Sequence, residues 1–131
     1  MTVLFDSNVV IDLLTANEHA DWVTARMAEI EDEVFAINPI IYAEVSVPYS
    51  AASELDELLD VLGFARLDLP WQAAFLAAKA FVAYRARGGS RASPLPDFYI
   101  GAHARTANLT LLTRDATRYR TYFPELTLIA P

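Results

Sequence analysis

The sequence predicts a three-layer α/β/α domain with a central parallel sheet, formed by a single domain over residues 1–131. Short apolar runs of strand length alternate with helix-like segments along the whole chain. A chain of 131 residues with 54% hydrophobic residues can bury one core and leaves no room for a second domain. Strands that alternate with helices pair in parallel and are covered by helices on both faces.

The first half of the chain contains two predicted strands. Its elements in order are a strand over residues 2–5, helices over about 7–14 and 18–31, a strand over 34–37 and a helix over about 39–47. Asn38 is a favourable N-cap for the last of these helices, and Pro39 suits its first turn, where a missing N–H costs no hydrogen bond. These two residues place the strand–helix boundary.

The second half repeats the alternation. Ser53 is the expected N-cap of a helix whose leucines recur at helical spacing, and Gly63 is expected to end that helix. The remaining elements are a strand over 64–67, a long helix from Pro70 to about Arg87, a helix that contains Asp97, and strands over 109–112 and 126–129. The sheet should therefore have five strands.

Cysteine content and hydropathy exclude several classes of protein. The chain has no cysteine, which excludes disulfides and thiolate zinc sites and favours a reducing, cytoplasmic location. The first apolar run is too short for a signal-peptide core, and no segment approaches the length of a membrane span. We expect a cytoplasmic protein without a membrane segment.

The charge of the chain is divided unevenly. Its net charge of −7 alone argues against a nucleic-acid partner. However, residues 1–60 carry 13 acidic side chains and one basic side chain, whereas residues 61–131 carry nine basic and four acidic side chains. An arginine-bearing half beside an acidic site suits a phosphodiester ligand, because arginines can hold phosphates while cations screen the carboxylates.

Four acidic residues lie where the chain is otherwise apolar: Asp6, Glu44, Asp97 and Asp115. Asp6 and Asp115 each follow a predicted strand, and ligands of such sheets bind beyond the carboxyl ends of the strands, where the strand order reverses. Isolated ionised carboxylates are costly to bury. A group of them at strand ends indicates that a divalent cation compensates their charge.

Each of these four carboxylates also has a simpler interpretation. Asp6 can cap the first helix, and Asp115 can cap a short turn before Tyr119. Asp97 can interact favourably with the dipole of the helix that begins there. Glu44 is harder to explain in this way, because nearly all its neighbours are apolar and a solvated helix face is difficult to draw. The sequence alone does not show that the four side chains meet.

Four strings in a fixed order carry a family resemblance: Val3-Leu4-Phe5-Asp6-Ser7-Asn8, Ile41-Tyr42-Ala43-Glu44-Val45, Leu95-Pro96-Asp97-Phe98-Tyr99-Ile100-Gly101-Ala102-His103-Ala104 and Leu111-Leu112-Thr113-Arg114-Asp115. Over essentially its full length the chain resembles a PIN domain, specifically the VapC-type toxin ribonucleases of toxin–antitoxin pairs. Each string is weak by itself, whereas the ordered set is fairly specific. The resemblance implies a PIN-like α/β fold.

The resemblance also implies an activity. A VapC-like enzyme would hydrolyse RNA phosphodiester bonds with Mg²⁺ or Mn²⁺ held by the four carboxylates. Hard oxygen ligands suit both ions, which can acidify a water and stabilise charge on phosphate oxygens. By the same resemblance, Thr113 bonds within the site or steadies the attacking water, while Ser7 and Asn8 shape it. Ordinary helix capping is the alternative for Ser7 and Asn8.

Several arginines are candidates for RNA binding: Arg85, Arg87, Arg91, Arg114 and Arg118. Arg114, Arg118 and Arg120 alternate with Tyr119 and Tyr122, an arrangement that suits phosphate binding and base stacking. Arg85 and Arg87 can instead stabilise the carboxyl end of their helix.

Four further residues receive structural interpretations. Asp12 lies one helical turn after Asn8 and is expected to be a solvated helix residue rather than a support for the site. His103 lies six residues beyond Asp97, off the same helix face, so a surface or packing role is expected. Trp22 and Trp71 occur among apolar residues and are expected to anchor the core or an interface.

The resemblance further implies partners: a small antitoxin that covers the active site, and a second copy of the chain in a homodimer. Functions of other classes remain open. A PIN-like module that has lost catalysis and serves only to bind another protein is one alternative. A phosphoaccepting receiver domain needs a lysine after a late strand, and the only lysine, Lys79, lies within a predicted helix. An aspartyl phosphatase needs a second aspartate where Asn8 stands.

Overall fold

Five strands and seven helices form the fold. The computed structural model describes residues Met1–Pro131. The elements in chain order are β1 (Thr2–Phe5), α1 (Ser7–Thr15), α2 (Ala20–Glu29), β2 (Val34–Ile37), α3 (Pro39–Ser46), α4 (Ala52–Val61), β3 (Ala65–Arg66), α5 (Trp71–Ala86), α6 (Pro96–Ala107), β4 (Thr110–Leu112), α7 (Thr117–Tyr122) and β5 (Leu128–Ile129). Every predicted strand is present, so the sequence pattern located the sheet correctly.

The sheet is parallel throughout, with strand order β3-β2-β1-β4-β5. The chain builds outward from β1 to β3 and then crosses back to place β4 on the other side of β1. Strand order therefore reverses between β1 and β4, where Leu4 is opposite Leu111 and Phe5 is opposite Leu112. The predicted three-layer α/β/α architecture with a central parallel sheet is confirmed, because helices connect all consecutive strands and flank the sheet.

Helix boundaries follow local chemistry with two departures. Asn38 caps α3 as predicted, since its side chain accepts a hydrogen bond from the Ile41 N–H at 2.9 Å. The predicted cap at Ser53 is wrong, because α4 begins at Ala52 and its N-cap, Ala51, makes no side-chain bond. The second helix is also shorter than predicted, since the Asn17 side chain accepts the His19 N–H and forms a turn before α2.

The core surrounds β1, whose residues Val3, Leu4 and Phe5 are fully buried. Helix α5 packs inward through small residues: Ala73, Ala77 and Ala80. Leu76, Phe81 and Tyr84 pack partly against the core, whereas Trp71, Phe75 and Val82 are exposed. The core interpretation of Trp71 is wrong, because this indole is 93% exposed. Trp22 is half-buried and packs against the core. None of the helices is long and apolar enough to cross a bilayer.

Candidate active site

The carboxyl ends of the strands bring the predicted site residues to one edge of the sheet. Asp6 directly follows β1 and Thr113 directly follows β4, the two strands between which the order reverses. Glu44 comes from α3 and Asp97 from the first turn of α6. The four carboxylates line one pocket of about 250 Å³ together with Ser7, Asn8 and Ile11. Residues that are distant in sequence therefore line the same pocket.

Asp6 is the most deeply buried of the four carboxylates, with 4% of its surface exposed. Its Oδ1 atom accepts the backbone N–H of Ser7 at 2.7 Å, so Asp6 is also the N-cap of α1. Its Oδ2 atom accepts the hydroxyls of Thr113 and Tyr119, each at 2.9 Å. Burial raises the pKa of Asp6 to about 6 despite these hydrogen bonds, and repulsion from Asp97 adds to the increase.

Glu44 lies across the pocket from Asp6, and the two are linked through Ser7. The Ser7 hydroxyl donates a hydrogen bond to Glu44 Oε1, while the Ser7 backbone N–H donates one to Asp6 Oδ1. Burial raises the pKa of Glu44, the Ser7 hydroxyl opposes that shift, and the Asp97 charge reinforces it. Ser7 thus contacts two of the four carboxylates rather than only capping a helix.

Asp97 and Asp115 form the more exposed side of the pocket. Asp97 accepts a hydrogen bond from Arg118 Nη1 at 2.9 Å, and both partners are partly exposed. The Asp115 backbone N–H donates to Thr113 Oγ1 at 3.1 Å, while its carboxylate accepts the Thr117 N–H at 3.4 Å. The predicted turn before Tyr119 therefore exists, and the side chain that caps it also faces the pocket.

The four carboxylates fit a divalent cation in their chemistry. All supply hard oxygen donors, and the raised pKa values of Asp6 and Glu44 come partly from Asp97, a repulsion that a shared cation would remove. As the side chains lie, no group of three or more acidic or histidine residues is close enough to hold an ion. The side chain of Glu44 accepts the hydroxyl of Ser7, and the side chain of Asp97 accepts Arg118.

Comparisons with known proteins identify the family. The family model described as "PIN domain" matches residues 3–124. The chain belongs to the PIN domain family. No curated protein matches it in a sequence search.

Solved structures share the PIN domain fold across the full length of the chain. One is the crystal structure of VapBC2 from Rickettsia felis bound to a DNA fragment from their promoter, with TM-score 0.77, 21% identity and coverage of 100% and 99% of the two chains. Another is FitAcB from Neisseria gonorrhoeae, with TM-score 0.71, 23% identity and coverage of 97% and 96%. A third is a toxin–antitoxin complex from Klebsiella pneumoniae, with TM-score 0.66, 22% identity and coverage of 97% and 95%.

A polar network supports the β4 side of this PIN domain. Asn8 Nδ2 donates to Thr113 Oγ1 at 3.2 Å, and Asn8 Oδ1 accepts the Arg114 backbone N–H at 3.2 Å. Thr113 is fully buried and donates onward to Asp6. The side chain of Asn8 thus ties α1 to the loop after β4 and holds Thr113 beside Asp6.

The expectation that Asp12 is solvated is wrong. Its side chain is 1% exposed and receives Arg114 through Nε–Oδ2 at 2.5 Å and Nη2–Oδ1 at 3.1 Å. Burial tends to raise the pKa of Asp12, but hydrogen bonds from Arg114 and Asn17 outweigh it and lower the pKa below its usual value. Asp12 is therefore a buried anchor for the loop that carries Thr113 and Asp115.

The candidate RNA-binding arginines differ in their surroundings, and their role stays a prediction. Arg114 is engaged by Asp12, and Arg118 by Asp97. Arg87 lies over the ring of Tyr122, which lines a cleft with Asp97 and Asp115. At the end of α5, the Arg85 side chain donates to the Arg91 carbonyl at 2.6 Å, and both residues are exposed.

His103 packs in the interior, which is one of the two roles expected for it, a surface role being the other. It is 2% exposed, and Asn38 Nδ2 lies 3.0 Å from its Nδ1. Burial lowers the pKa of His103, so the ring is neutral near pH 7. It does not line the carboxylate pocket, which gives no support to a general-base role.

Tyr119 contacts Asp6, a role that the sequence did not reveal. Its predicted use in base stacking is wrong, because the side chain is 1% exposed and donates its hydroxyl to Asp6. Burial, together with the negative charge of Asp6 and Asp97, raises the pKa of Tyr119 far above its usual value. In the sequence, Tyr119 stands between two arginines on a short polar helix, which gave no indication of burial.

The elevated pKa of Asp6 predicts an unusual pH dependence of stability in metal-free protein. Because the folded-state pKa of about 6 exceeds the unfolded value of 3.8, the folded state binds the proton more tightly, and stability falls as pH rises through this interval. Ionisation of Asp6 alone should lower the free energy of unfolding by about 3 kcal/mol by pH 7.

Urea unfolding in EDTA at pH 4, 5, 6 and 7 measures this cost. The free energy of unfolding of Asp6→Asn minus that of wild type should increase as pH rises from 4 to 7, because only wild type loses the stability that comes from protonated Asp6. Glu44 titrates in both proteins and cancels in the comparison. A difference that stays constant from pH 4 to pH 7 would contradict the assigned pKa of Asp6.

Proposed function

We propose that this PIN domain is a VapC-type toxin ribonuclease that hydrolyses RNA phosphodiester bonds with Mg²⁺ or Mn²⁺. The observation that carries the proposal is the convergence of four carboxylates from separate elements into one pocket at the β1/β4 switch point. A module that only binds proteins has no need to bring four like charges together, which disfavours the silent alternative.

Each carboxylate has a distinct proposed role as a cation ligand. Asp6 is the rigid ligand, since its position is fixed by hydrogen bonds on both oxygens. Glu44, Asp97 and Asp115 would supply the other carboxylate oxygens that hold the ion. A bound divalent cation would acidify a water and stabilise the charge that develops on the phosphodiester. Thr113 holds Asp6 and the Asp115 backbone in place.

Arginines beside the pocket are the proposed phosphate contacts. Arg118 donates a hydrogen bond to Asp97, which places its guanidinium beside the pocket, where it would contact a substrate phosphate. Arg85, Arg87 and Arg91 lie around the end of α5 and extend positive charge away from the carboxylates. This arrangement explains how a chain of net charge −7 can bind RNA.

Protein partners are the second part of the proposal: a small antitoxin that covers the active site, and a second copy in a homodimer. Support comes from the fold shared with chains of toxin–antitoxin complexes. It also comes from the exposed side chains Trp71, Phe75 and Val82, which share one side of α5.

A metal-dependence assay tests the proposed reaction. Purified protein is incubated with total bacterial RNA in EDTA, in Mg²⁺ and in Mn²⁺, and fragments are resolved on denaturing gels. Cleavage should appear with either ion and stop on addition of excess EDTA. Binding of Mn²⁺ without RNA is measured separately by calorimetry. Cleavage in EDTA, or no Mn²⁺ binding and no cleavage under any condition, would reject the proposed function.

A further inference from the structure

Tyr119 has a buried hydroxyl with a single hydrogen-bond partner. The side chain is 1% exposed, and its hydroxyl donates to Asp6 Oδ2 at 2.9 Å, its only hydrogen bond. A phenylalanine would fill the same space without a polar atom to satisfy. The hydroxyl therefore serves the contact with Asp6 rather than the packing of α7.

Gly101 on α6 fixes the position from which Tyr119 reaches Asp6. A Cβ at residue 101 would lie 2.5 and 2.6 Å from ring atoms of Phe123 and 3.1 Å from Tyr119 Cδ1. Both rings are buried. The missing side chain lets α7 approach α6, which holds the Tyr119 ring with its hydroxyl facing the end of β1.

The two oxygens of Asp6 are left unequal by these contacts. Each carboxylate oxygen has about two lone-pair positions. Oδ2 uses both, for the hydroxyls of Thr113 and Tyr119, whereas Oδ1 uses one, for the Ser7 N–H. Only Oδ1 retains a free acceptor position. The hydroxyls of Thr113 and Tyr119 fix the orientation of the carboxylate and therefore the direction in which this position points.

We propose, resting on the proposed function, that Tyr119 is a positioning residue that occupies Asp6 Oδ2 and so presents Oδ1 as the single cation-binding atom of Asp6. Thr113 on β4 and Tyr119 on α7 hold Oδ2 from two separate elements. Together they prevent the carboxylate from rotating, so the cation meets a ligand already in place. Neither hydroxyl needs to touch substrate.

The variant Tyr119→Phe tests this role by removing one oxygen atom. Without RNA, its Kd for Mn²⁺ should rise about 10-fold, the effect typical of losing a hydrogen bond to a metal ligand. When RNA concentration is varied at limiting Mn²⁺, kcat should fall while KM for RNA stays unchanged. The matched control is Tyr99→Phe, because Tyr99 is half-buried on α6 and its hydroxyl makes no hydrogen bond. This control should bind Mn²⁺ as the wild type does.

The results separate failure of this inference from failure of the proposed function. If wild type binds Mn²⁺ and cleaves RNA, yet Tyr119→Phe has an unchanged Kd, the positioning role is rejected alone. If wild type neither binds nor cleaves, both proposals fall. A crystal of wild type grown with Mn²⁺ provides a test that does not depend on the folding of any variant. Anomalous density bound through Oδ1 supports the inference, and density bound through Oδ2 overturns it.

Discussion

Asp97→Asn is expected to lose RNA cleavage by about 100-fold or more while keeping the fold. The substitution preserves size but removes the charge of a proposed cation ligand, and even loss of a partner behind a ligand typically costs up to 100-fold. The side chain is partly exposed and paired only with Arg118, so the free energy of unfolding should change by less than about 1 kcal/mol. Initial cleavage rates in Mn²⁺ and urea unfolding in EDTA measure the two effects.

Asp32→Asn is the matched control for this experiment. Asp32 is an exposed aspartate that precedes β2, so it lies toward the opposite edge of the parallel sheet. The control changes net charge equally but should leave cleavage at the wild-type rate. If Asp97→Asn cleaves as fast as Asp32→Asn, the role assigned to Asp97 is wrong. If both lose activity, the rate reflects overall charge rather than a ligand.

The sheet, and the position of Asp6 and Thr113 at its carboxyl edge, could be predicted because they depend on local patterns. Each strand is a short apolar run, and a parallel sheet places all carboxyl ends at one edge. Asp6 follows such a run directly, and Thr113 follows another, so both lie at the same edge, and the pairing of β1 with β4 makes them neighbours. Glu44 stood out because its neighbours are apolar.

Contacts made by residues in polar segments could not be predicted. Tyr119 is buried where Gly101 on α6 lets α7 pack closely. The sequence pattern within α7 carries no information about this contact with another helix. The local sequence predicts that Asp12 is a solvated helix residue. The contact with Arg114, which follows β4, depends on the tertiary fold. Trp71 of α5 misled for a related reason: the fully buried positions of this helix are alanines, because small side chains allow close helix contact, and Trp71 lies outside them.

Arg114→Ala is expected to be the most destabilising of the substitutions considered, at about 3 kcal/mol. Asp12 is 1% exposed and bound by two guanidinium nitrogens, so removing Arg114 leaves a buried carboxylate with only Asn17 as a side-chain partner. Breaking a buried ion pair on one side typically costs 3–5 kcal/mol, and the partial exposure of Arg114 favours the lower end. Urea unfolding at pH 7 gives the value directly.

Two comparisons show whether the cost comes from the stranded charge. Arg105→Ala removes an exposed arginine from a loose 3.7 Å pair with Glu125 and should cost less than about 1 kcal/mol. Adding Asp12→Leu to Arg114→Ala removes the unpaired carboxylate, so the double variant should be more stable than Arg114→Ala alone. A double variant that loses the sum of both single effects would show that the two side chains act independently. In that case Asp12 would not anchor the loop that carries Thr113 and Asp115 through its charge.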